Sequence, residues 1–124
     1  MGTVRLRGAD YAAAVSAPGI VLVDFRTSRS GSSRAFTAVF EEAAGRHPDL
    51  VFAAVDTEAD LALALDLKVR SAPTLMVYRD GVLVFAEPGW LPEDSVDLLV
   101  ATVRDLDMAA VRATYPEPVR RHPR

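Results

Sequence analysis

From Ile20 to Phe25 the chain reads Ile-Val-Leu-Val-Asp-Phe, apolar at every position but one. That is the pattern of a strand covered on both faces, and it predicts that Asp24 is buried. Leu50 to Thr57, "LVFAAVDT", repeats the pattern and predicts a second buried strand. Between them Phe36, Val39, Phe40 and Ala43 recur at helical spacing, so a helix is expected from Ser33 to a stop at Gly45 to Pro48. Upstream, the alternation of Thr3 to Leu6 suggests a short edge strand, and Asp10 is placed to cap an alanine-rich helix that Pro18-Gly19 ends. Downstream, Thr57 and Asp60 form a weak capping box before a short helix. In "TLMVYRDGVLVFAEPG" two apolar strands meet at Arg79-Asp80-Gly81, where Asp-Gly signals a tight hairpin. Pro92, Glu93 and Asp94 open a helix whose apolar stripe is Val96, Leu99, Val100 and Val103, and Asp107 is placed to cap a last one, "MAAVRAT". Strand-helix-strand-helix-strand followed by a hairpin predicts an α/β domain. Its central mixed sheet has four or five strands, with helices on both faces.

Composition narrows what such a domain does. At 124 residues, half of them apolar, the chain holds one core. Residues 1–114 are assigned to it, and 115–124, "YPEPVRRHPR", to a Pro/Arg-rich tail expected to be disordered. A net charge of -3 gives no reason to expect nucleic acid or an anionic membrane as partner. With no apolar run of spanning length and no signal-peptide core at the N-terminus, a cytoplasmic protein is expected. There is no cysteine, which removes disulfides, thiolate nucleophiles and cysteine-ligated metal. His47 and His122 supply the only imidazoles. Both are expected on the surface without catalytic duty, so no metal and no cofactor is assigned.

Four segments carry a resemblance. "VLVDF" followed by a small-residue turn into a helix, "VDTE", "VRSAPTLMVYRDGVLV" and "EPGW" occur in an order that resembles the thioredoxin family from about Thr3 to Thr114. The resemblance implies the thioredoxin fold and, as family activity, protein-disulfide oxidoreduction in cell redox homeostasis. It puts Asp24 at the family's buried acid, Ser30 and Ser33 where the two cysteines stand, and Gly31 and Ser32 between them. It further makes Pro73, after Ala72, the expected cis-proline and Gly89 part of the loop bordering the substrate groove. The chain also departs from the family: Arg26 and Arg29 stand for tryptophans, Ser32 and Ala38 for prolines, and Ala54 for the lysine that partners the buried acid.

Hydroxyls cannot exchange disulfides, and no His or Lys lies near Ser30 in sequence to act as its base. The expected function is therefore a redox-inactive domain that binds a protein partner, or an anionic group, through the former substrate groove. Arg26, Arg29, Arg34 and Arg70 are expected to converge there as a basic rim, with Trp90 as an aromatic anchor or a cation-π partner of Arg29. One alternative is a thioredoxin, a protein-disulfide reductase, whose cysteines were replaced or lost. Another is a glutathione-binding role for Ser30 at the helix N-terminus, although such enzymes carry a further helical domain. Ser30 or Ser32 can also simply cap the helix. Asp24, without a lysine at 54, is expected to cost stability.

Overall fold

The structure, a computed structural model, describes residues 2–114. The expected tail, with His122, lies outside the described residues. Ten elements follow in order: β1 (Val4–Arg5), α1 (Gly8–Val15), β2 (Ile20–Arg26), α2 (Gly31–Arg46), β3 (Val51–Asp56), α3 (Leu61–Asp66), β4 (Thr74–Arg79), β5 (Val82–Pro88), α4 (Glu93–Arg104) and α5 (Met108–Thr114). The strands form one sheet in the order β1-β3-β2-β4-β5. β3 runs parallel to both β1 and β2, while β4 is antiparallel to β2 and to β5.

Strand alternation sorts the core into two layers. Val21, Val23 and Phe25 of β2 pack with Tyr11 and Val15 of α1 and with Leu63 and Ala64 of α3. Ile20 and Leu22 point the other way, into a cluster with Phe36, Phe40 and Ala43 of α2 and Val96, Val100 and Val103 of α4. Asp24 continues that second row and so lies beneath α2, with no exposed surface. Polar groups in the first layer are paired: the Tyr11 and Tyr78 hydroxyls are 2.8 Å apart.

The expected helices form, but three begin elsewhere. α1 starts at Gly8, and Asp10 sits in its first turn, where its carboxylate accepts from the Arg7 N–H at 3.4 Å. α2 starts at Gly31, two residues before Ser33. α3 is capped by Asp60, which accepts from Leu63 N–H, while Thr57 bonds the Arg26 carbonyl instead. The hairpin takes the two left-handed residues a tight turn needs, Asp80 at φ 53° and Gly81 at φ 82°. Asp107 caps α5 through the Ala109 and Ala110 amides. His47 is less exposed than expected: it closes α2 and bonds Asp97 at 2.9 Å. Among the described residues no helix is long and apolar enough to cross a membrane.

Candidate functional site

The site lies where β2 ends, at the N-terminus of α2. After Arg26 the chain leaves the sheet through Thr27, Ser28 and Arg29 and enters α2 with Ser30 as its N-cap. The Ser30 hydroxyl accepts from Ser33 N–H at 3.2 Å and lies 3.0 Å from the Ser32 hydroxyl. Ser33 is fully buried, and its hydroxyl accepts from Thr27 N–H at 2.9 Å. Both hydroxyls thus serve the turn: each satisfies a backbone donor that would otherwise lack a partner.

Two neighbouring loops are tied to each other, and a third to the end of β2. The Ala72–Pro73 peptide is cis, and the Pro73 carbonyl accepts from Gly89 N–H at 2.8 Å, joining the segment before β4 to the loop after β5. Gly89 has φ 106°, a conformation that disfavours any side chain, and Trp90 follows it with 47% of its surface exposed. Thr57 N–H donates to the Arg26 carbonyl at 3.0 Å, holding the β3–α3 loop beside the serine turn.

The four expected arginines do not share one rim. Arg29 and Arg70 line a cleft of ≈ 570 Å³ between the serine turn, the β3–α3 loop and residues 69–71, floored by Leu61, Ala64 and Val69. Arg29 is ion-paired there with Glu58, and the cation-π contact found among the described residues is Arg26 on Phe40 rather than Arg29 on Trp90. Arg26 and Arg34 line a different cleft on the α2 side of the sheet. Strand alternation explains the split, because Arg26 shares Asp24's face whereas Arg29 lies beyond the strand in the turn.

Arg26 is also the partner that Asp24 was expected to lack. Its Nε donates to Asp24 Oδ2 at 2.9 Å, its Nη2 lies 3.2 Å from Glu41 Oε2, and its guanidinium sits over the Phe40 ring, 5.8 Å from the centroid. The Glu41 contact is an ion pair without hydrogen-bond alignment, and Asp24 Oδ1 has no hydrogen-bond partner among the described residues. Burial pushes the Asp24 carboxyl up to about 6; Arg26 pulls it down by charge and hydrogen bond, and Glu41 adds a smaller upward push. The signal for this pairing was in the sequence, since residues two apart on a strand face the same way.

Chemically, the turn offers a helix N-terminus whose leading side chains are hydroxyls, a buried acid with a cationic partner, and two clefts with arginines in their walls. Comparison with known proteins gives the arrangement its ancestry. The thioredoxin family model matches residues 2–102. "Putative thioredoxin 2" of Streptomyces coelicolor is 42% identical over 93% of this chain and 86% of that protein. The thioredoxin of Chlamydia muridarum is 32% identical over 79% of this chain and 96% of its own length. Among solved structures, a mutant thioredoxin from Halobacterium salinarum superposes with a TM-score of 0.77 at 27% identity, covering 85% of this chain and 93% of that one. With the family model matched over residues 2–102, a five-stranded mixed sheet, a cis-proline just before β4 and serines on both sides of Gly31-Ser32, this chain belongs to the thioredoxin family.

Proposed function

We propose that the chain is a thioredoxin-family domain that binds a protein partner through the groove beside the serine turn and carries out no thiol–disulfide exchange, with the cytoplasm as its setting. The observation that carries this is the pair Ser30 and Ser33, both in hydrogen bonds of the turn, in a sequence without cysteine. A thiol at a helix N-terminus gives thiolate near neutrality because the dipole lowers an already modest pKa. A hydroxyl ionises many units higher, each unit costing ~1.4 kcal/mol, and the dipole returns at most about 2 kcal/mol. Recognition is supported by Arg29 beside an apolar cleft floor, by an exposed Arg70 without an ion pair among the described residues, and by a half-exposed Trp90 outside that cleft, on the loop that Gly89 ties to Pro73. Trp and Arg are the side chains that anchor protein interfaces.

Affinity capture on the immobilised chain, followed by titration of the captured protein, tests this. Arg29→Ala and Trp90→Ala are each expected to weaken binding at least about tenfold, as an interface anchor does. Unchanged affinity in both variants would remove the groove from the interface.

The 42% identity to a protein named as a putative thioredoxin supports a second reading, a disulfide reductase that has lost its sulfurs. Ser30→Cys combined with Ser33→Cys distinguishes the two. A recently disabled reductase recovers insulin reduction in the double variant. A domain long committed to binding stays poor, because Arg26, Arg29, Ser32 and Ala54 have also changed around the turn.

A further inference from the structure

We propose that the cleft on the α2 side of the sheet binds a phosphate group, held by Arg5 and Arg34 at its mouth and Arg26 at its base. The proposal is independent of the protein-binding groove, which lies across the serine turn.

The sheet register builds the site. Arg5 of β1 pairs with Ala54 of β3, and Ala54 pairs with Asp24 of β2, so these three side chains stand in one row on one face. One step of alternation further, Arg26 pairs with Asp56 on the same face. Ala54 fills little of the space between Arg5 and Asp24. The result is a cleft of ≈ 270 Å³, roofed by Arg34 and Thr37 of α2 and bordered by Thr27 and Ser28.

Its charges are unevenly matched. Arg5 and Arg34 have no carboxylate within ion-pair distance among the described residues; Arg34 donates to the Ser28 carbonyl at 2.7 Å. Among the described residues Asp56 is the one acid in the lining, and its Oδ1 is occupied by the Glu58 and Ala59 amides. Thr27 Oγ1 accepts from Arg29 N–H, which leaves its proton free to donate. Two guanidiniums without a carboxylate partner, one of them anchored by Ser28, and a hydroxyl donor suit an oxyanion with several acceptor oxygens.

Arg26 makes the site responsive to pH. It is shared between Asp24 of β2 and Glu41 of α2, and Asp56 of β3, its register partner, faces the same side with its Oδ1 held by the Glu58 and Ala59 amides. When Asp24 takes up a proton, one of those claims ends and the guanidinium is free for the ligand. Protonation of Asp24 and anion binding therefore favour each other, by reciprocity of linked equilibria.

The test is a ¹⁵N NMR titration of the full chain with sulfate, which stays doubly charged across the range, at constant ionic strength maintained with chloride. Saturable shifts are expected at the Thr27, Ser28 and Thr37 amides and at Arg26 Nε. Binding should be tighter at roughly pH 5.5 than at pH 8, on either side of the Asp24 transition. Arg5→Gln and Arg34→Gln should each weaken it about threefold. Repeating the titration with inorganic phosphate and with glycerol phosphate at the higher pH separates the source: a tighter ester points to a phosphorylated metabolite, a tighter free ion to phosphate itself. Absence of saturation, shifts centred on Arg29 and Arg70, or equal binding in both glutamine variants would overturn the site.

Discussion

Asp24 holds a carboxyl with no exposed surface, and burial, only partly offset by Arg26, raises its pKa from an ordinary 3.8 to about 6. For an acid whose folded pKa is raised, the native state binds more protons than the unfolded chain between those two values, so stability falls as pH rises through the window and stays low above about 6. The full penalty is about 3 kcal/mol at neutral pH. Asp24→Asn keeps an acceptor for Arg26 Nε without the charge, so it should raise stability at pH 7.5 by ~1 to 3 kcal/mol, a gain that shrinks toward zero by about pH 4. Urea melts at several pH values check this, and a lower midpoint in the mutant at neutral pH would show that the ion pair outweighs the burial cost. Arg26 acts on the same group with opposite sign. In Arg26→Gln, NMR titration of the Asp24 carboxyl should give a pKa above about 6, because the largest influence lowering it has been removed.

The elements themselves follow from local chemistry, with the ends deciding the details. α2 depends on Ser30 as its N-cap, so Ser30→Ala should cost about 1 kcal/mol in thermal or urea unfolding, as loss of any such cap does. α3 ends at Asp66 with Leu67 as its C-cap, and the next residue, Lys68, sits at φ 62°, where glycine is at ease and a side chain is not. Lys68→Gly should therefore stabilise the domain by about 0.5 to 1 kcal/mol, while Lys68→Ala should not. The strands and the hairpin were legible because a continuous apolar run and an Asp-Gly pair each specify one local answer. Helix starts were less so. Asp10, Thr57 and Asp60 are all cap-type residues, and which one caps is decided by contacts such as that between the Asp60 carboxylate and the Gly8 N–H, which join residues far apart in sequence.

At the scale of the molecule, the sheet separates two surfaces that the sequence lists side by side. Arg26, Arg29 and Arg34 fall within nine consecutive positions, and nothing in their spacing tells which side of the sheet each serves. Strand alternation sends Arg26 under α2, the turn carries Arg29 toward Glu58, and the register of β1 on β3 brings in Arg5 from the far end of the chain. Ser30 and Ser33 could be placed from the sequence because they inherit a family position. Their hydrogen bonds required the folded turn. The proposed function keeps the family's groove without the family's reaction, and reduction of insulin disulfides by the unaltered chain, with dithiothreitol as electron source, decides whether it holds. Turnover equal to dithiothreitol alone is the predicted result; turnover above that background would contradict it.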